Sequence, residues 1–79
     1  MQRQEIHQRL FELAARRFGK DAGSLRPEDD LFKALAIDSY QALELLTELE
    51  DAFSIEVPDY ELQGVSTFDG LAEVVERRL

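Results

Sequence analysis

At 79 residues with 44% apolar side chains, the chain can bury one small core but lacks the bulk for a core plus a deep catalytic cleft. The absence of cysteine excludes disulfides and Cys-based zinc sites, and no apolar run approaches the roughly 20 residues of a membrane span. Seventeen acids against nine bases leave a formal charge of −8, which argues against nucleic acid as a partner and fits equally steering toward basic protein surfaces or a plainly solvated acidic surface.

The opening Met1-Gln2-Arg3-Gln4-Glu5 lacks the apolar stretch of a signal peptide, so one cytoplasmic, monomeric domain over residues 1–79 is expected. Helical periodicity dominates and strand alternation is nearly absent. The first helix is expected from about Gln2 to Phe18. Ile6, Leu10, Leu13 and Ala14 recur at three- and four-residue steps as its apolar stripe, and Gly19 supplies its stop. An irregular segment follows from Lys20 to about Ile37, containing Gly23, Pro27 and the acidic run Glu28-Asp29-Asp30. A loop this long is usually functional or disordered. Leu25, Leu31, Phe32 and Leu35 are expected to pin it to the core, with a short helical turn at Leu31 to Leu35.

The second main helix is expected from about Ser39 to Phe53. Ser54-Ile55-Glu56-Val57-Pro58 cannot continue it, because Pro58 lacks an N–H and pushes Val57 toward extended geometry. A short third helix is expected from Asp59 to near Gly64. The last helix begins near Ser66 or Thr67, where Ser66 and Asp69 approximate a capping box. Phe68, Leu71, Ala72, Val75 and Leu79 supply its apolar face, Gly70 weakens it by roughly 1 kcal/mol relative to Ala, and Arg77 and Arg78 suit its C-terminal dipole end. The expected fold is all-α: a small four-helix bundle, three main helices plus a short third one, with a long loop between the first two.

The second main helix has two faces. At roughly 100° per residue from Ala42, the residues Ala42, Leu45, Leu46, Leu49 and Phe53 fall within about −60° to +40° and form the core stripe. Tyr40, Glu44, Thr47 and Asp51 cluster on the opposite side, with Leu43 close to them. An apolar spot rimmed by acids suits a transient, electrostatically steered interface; solvated acids around a core-edge leucine are the plain alternative. Asp38 and Ser39 head this helix. Both residue types favour N-cap positions. A phosphodiester on Ser39 would also sit well there, beside the first-turn N–H groups and the positive dipole end.

Chemistry by the chain itself is not supported. His7 lies off the core stripe of the first helix and is expected in solvent, so no Ser–His–Asp arrangement is suggested. Asp29-Asp30 and Glu50-Asp51 lack the alternating oxygen ligands, central Gly and distal Glu of an EF-hand loop, and no metal site is expected.

Taken together, the Asp38-Ser39 pair, Ala42-Leu43-Glu44-Leu45-Leu46, Leu49-Glu50-Asp51-Ala52-Phe53, Ile55-Glu56-Val57-Pro58-Asp59 and Val65-Ser66-Thr67 resemble the acyl carrier protein family over nearly the whole chain. The resemblance implies a non-catalytic carrier bearing 4′-phosphopantetheine on Ser39, flanked by Asp38. A phosphopantetheinyl transferase would supply the group from coenzyme A, importing the thiol that the chain lacks. The resemblance further implies that Tyr40, Leu43, Glu44, Thr47 and Asp51 meet acyl-loading and acyl-processing enzymes with basic docking patches. Leu46, Leu49, Phe53, Val57, Leu62 and Val75 are candidates to line a sheltered acyl chain, or are plain core. Fatty acid, specialised lipid and polyketide biosynthesis are the implied settings. An aminoacyl or peptidyl carrier and an unmodified adaptor are the alternatives; Glu44, Glu48, Glu50 and Asp51 favour acyl cargo. The chain departs from the family at Ala36, commonly Gly and strained if φ is positive, and at Tyr40, commonly Leu or Met.

Overall fold

In the computed structural model, which describes Met1–Leu79, four α-helices and two 3₁₀ turns follow one another without a strand. Helix α1 spans Arg3–Phe18, α2 Leu31–Leu35, α3 Ser39–Phe53 and α4 Phe68–Arg78; the 3₁₀ turns cover Ala22–Ser24 and Asp59–Leu62. The bundle and its long first loop are those implied by the sequence. The expected short third helix is a 3₁₀ turn that stops before Gly64. Pro58, at its head, offers no side-chain cap, and Gly64 at φ +82° turns the chain away.

Gly19 ends α1 in the left-handed conformation, φ 69°, where a Cβ would be strained. The core is wholly apolar. From α1 it takes Ile6, Leu10, Ala14 and Ala15; Leu13, expected in the stripe, is only half-buried. Leu25, Leu31 and Leu35 are buried and Phe32 packs at the core edge, so the loop is pinned as expected. From α3 come Leu45, Leu46, Leu49 and Phe53, with Ala42 half-buried at the stripe's margin. In α4 the buried set is Phe68, Leu71, Ala72, Val74 and Val75. Val74 replaces Leu79, which is 53% exposed because the helix ends one residue earlier.

The head of α4 is held by the loop. Its first two N–H groups, on Phe68 and Asp69, donate to the carbonyls of Asp29 (3.3 Å) and Pro27 (2.8 Å), and Gly70 N–H donates to Thr67 Oγ1 (3.0 Å). Thr67 is therefore the cap, and the capping box expected from Ser66 and Asp69 does not form. Asp69 instead faces α1: its Oδ1 lies 2.8 Å from His7 Nε2 and 3.1 Å from Arg3 Nη1. His7, expected in solvent, is only 15% exposed and stacks on Phe11. The packing of α1 against α4, the most extensive helix pair, turns that flank inward. The His7 hydrogen bond holds the Asp69 carboxyl below the usual range, with Arg3 adding to it, against a smaller opposing effect of partial burial. Arg3 also binds Glu76 at 2.7 Å and lowers that carboxyl in the same way.

Candidate functional site

The approach to α3 sets up its head. Asp30 caps α2 by accepting from Lys33 N–H (3.0 Å), and α2 ends at Ala36, which lies left-handed at φ 55°, ψ 49°. Ala36 thus has the positive φ that would make it strained where the family commonly has Gly. Ile37 N–H donates to the Phe32 carbonyl at 3.0 Å, which seats the turn and delivers Asp38 to the start of α3.

Asp38 is the N-cap. Its Oδ1 accepts from Gln41 N–H at 2.9 Å, while Gln41 Oε1 accepts from Asp38 N–H at 3.2 Å, a reciprocal box. With capping done by Asp38, the Ser39 hydroxyl makes no hydrogen bond and is solvent-exposed at the first position of the helix. The Ser39 and Tyr40 N–H groups, among the four left over at any helix start, have no protein acceptor. The head of α3 therefore offers a free nucleophilic oxygen beside N–H donors and the positive dipole end. That is a fitting setting for a phosphodiester.

The outward face of α3 follows directly. Tyr40 is 70% and Leu43 38% exposed. Thr47 is exposed and donates its hydroxyl to the Leu43 carbonyl at 3.2 Å; Asp51 is exposed and unpaired. Glu44 is less free than the wheel implies: Arg17 of α1 lies 3.3 Å from it and 2.7 Å from Glu48. Glu50 is turned toward the chain's own backbone, accepting Val57 N–H at 2.8 Å, and so does not belong to the outward acids. Arg17 and the Val57 contact escaped the sequence because both join residues at no regular spacing.

Of the candidate acyl-lining residues, Leu46, Leu49, Phe53, Val57 and Val75 are buried core. A small cavity of about 30 Å³, walled wholly by apolar side chains, lies among α2, α3, the second 3₁₀ turn and α4. Leu31, Phe32, Ala42, Leu45, Leu62, Val65 and Leu71 form its wall, so Leu62 alone of the six borders it. The helical wheel identifies the buried stripe but not which part of it meets the void.

A compact helical bundle that keeps an unbonded serine at the head of a two-faced acidic helix has the form of a carrier-type domain. Residues 8–75 match the family described as phosphopantetheine attachment site. The sequence is 37% identical over 75 residues to the acyl carrier protein of Rubrobacter xylanophilus, covering 95% of this chain and 93% of that one. The solved structure of the acyl carrier protein from Enterococcus faecalis superposes over the full length of both chains with a TM-score of 0.78 at 23% identity, a likeness of fold. The chain belongs to the phosphopantetheine attachment-site family, the acyl carrier proteins.

Proposed function

We propose that Ser39 is the attachment point of 4′-phosphopantetheine and that the chain carries acyl intermediates for enzymes of fatty acid, specialised lipid or polyketide biosynthesis. One observation carries the assignment to Ser39: Asp38 caps α3, which leaves the neighbouring hydroxyl exposed and unbonded. The attached group would supply a terminal thiol that holds acyl groups as thioesters. The chain's own residues hold the serine at the helix head, offer the Ser39 and Tyr40 N–H groups to the phosphodiester, and present Tyr40, Leu43, Glu44, Thr47 and Asp51 to basic partner surfaces. Catalysis then belongs to the partners, a phosphopantetheinyl transferase first among them. A tether makes each encounter local, raising the effective concentration of cargo at the docked enzyme. The small apolar cavity reaches Ala42, one turn from Ser39, and Leu62 is the acyl-lining candidate that borders it. A cytoplasmic, monomeric carrier is part of the same reading; no helix is long and apolar enough to cross a membrane.

The test is intact mass after incubation with coenzyme A, magnesium and a broad-specificity transferase. The wild-type chain should gain one phosphopantetheine and Ser39→Ala none. Modification of Ser39→Ala would move the site elsewhere, and an unmodified wild type would favour an adaptor that only binds.

A further inference from the structure

The acids on α3 are not equally open to a partner. Glu44 and Glu48 stand four residues apart, one turn of the helix, and share a single cation from another helix. Arg17 Nη2 lies 3.3 Å from Glu44 Oε2, and Arg17 Nη1 lies 2.7 Å from Glu48 Oε1. All three side chains keep about a third or more of their surface in solvent: 31% for Arg17, 41% for Glu44 and 38% for Glu48. A partner cation reaching for Glu44 therefore meets a carboxylate that already has a counter-ion.

We infer that Arg17 is an intramolecular competitor for the docking acids of α3, and that it sets how strongly basic partner surfaces bind this carrier. The inference rests on the reading that the outer face of α3 is where partners dock, and it adds a residue of α1 to that face.

Two features fit a displaceable competitor better than a structural clamp. The first is where Arg17 can go. A shallow depression of about 560 Å³ opens between α1 and α3, lined by Leu13, Arg16, Arg17, Glu48, Asp51 and Ala52, so the guanidinium is not packed in and has space to shift. It also lies 5.9 Å from the centre of the Phe18 ring, a second contact within its own helix. The second is energetic. Ion pairs this exposed contribute little to folding and are screened by salt, so exchanging Arg17 for a partner's Lys or Arg costs the fold little. What the exchange changes is affinity: each encounter must first release a cation that the carrier itself supplies.

The experiment measures KM and kcat for phosphopantetheine transfer from coenzyme A, with magnesium, by a transferase whose carrier-docking surface is basic. It compares wild type, Arg17→Gln, Glu44→Gln/Glu48→Gln and the triple variant at low and high salt. Arg17→Gln should lower KM by roughly two- to fivefold at low salt with kcat unmoved, the range expected of an exposed pair. The gain should vanish in the Glu44→Gln/Glu48→Gln background and shrink at high salt. Thermal melts of all variants keep folding apart from docking, since a residue that only ties α1 to α3 would lower the melting temperature and leave KM alone. An unchanged or raised KM in Arg17→Gln, or a gain that survives without the two glutamates, overturns the inference while leaving Ser39 intact. No transfer to the folded wild-type chain overturns the Ser39 reading, and this inference with it.

Discussion

Replacing Ala36 with glycine should make the protein more stable. Ala36 sits at φ 55°, ψ 49° as the residue that ends α2, and its side chain is exposed. A Cβ in that region crowds the following carbonyl at a cost of about 1–2 kcal/mol. Glycine removes the clash but gives the unfolded chain more freedom, which returns about 0.4–1 kcal/mol. No packing is lost, because the methyl group faces solvent. The net gain is roughly 0.5–1 kcal/mol, which in a domain of this size raises Tm by roughly 2–8 °C. Thermal and urea unfolding followed by circular dichroism would measure it, with Ala36→Val as the opposite control, since a β-branched residue tolerates positive φ worst. A lower Tm for Ala36→Gly, or an unaltered one for Ala36→Val, would refute the strain argument and mean that the turn before Ser39 is not left-handed in solution.

Leu46→Ala removes a side chain that is 3% exposed and should cost roughly 2–5 kcal/mol in chemical denaturation; a negligible loss would mean that the core stripe of α3 is rotated. Asp69→Asn should lower stability at neutral pH and flatten the acid limb of the stability profile. Because the Asp69 carboxyl is held below its ordinary value when folded, its contribution is present above about pH 4 and fades as pH falls through the lowered folded value; an unchanged acid limb would show that the His7 and Arg3 contacts do not persist. Tyr40→Leu should leave unfolding within about 0.5 kcal/mol of wild type, since the ring is 70% exposed, yet shift the transferase KM at least about twofold if the ring lies in the docked surface. Equal KM values would remove Tyr40 from that face.

What sequence reading recovered here depends on how far apart the interacting residues lie along the chain. The two faces of α3 follow from a period that the helix itself imposes, so the burial of Leu45, Leu46, Leu49 and Phe53 and the exposure of Tyr40 and Leu43 were legible. So was the Gly19 stop, a local backbone demand, whereas the positive φ at Ala36 was raised only as a condition, through the family's usual glycine there. His7 was misjudged because its burial is decided by Asp69, sixty-two residues away, and no spacing rule links them. For the same reason Asp69 looked like half of a capping box: the loop carbonyls of Pro27 and Asp29 that bind the head of α4 carry no side-chain signature. Arg17 sits in the last turn of α1, where nothing in the sequence singles it out, and only the tertiary fold brings it against Glu44 and Glu48.

The Arg17 contacts bear on how the charge of −8 should be understood. Net charge describes the field felt at a distance, and distance is where steering operates. Contact is another matter, because many of the acids are already committed. Asp21, Asp29, Asp30, Asp38 and Glu50 accept hydrogen bonds from backbone N–H groups at turns and helix heads. Glu61 is held by Arg78 at 2.7 Å, Asp69 and Glu76 by Arg3, and Glu44 and Glu48 by Arg17. In a chain this short, carboxylates replace some of the fastening that a larger core would supply, and the repulsion they accumulate is relieved pair by pair. On α3 the consequence is specific. Asp51 is its one acid with no partner inside the molecule, while Glu44 and Glu48 already share Arg17 as a counter-ion. On the proposed docking reading, a basic surface is drawn in by the whole charge but held by a few residues, which would let a strongly acidic carrier release its partners between encounters.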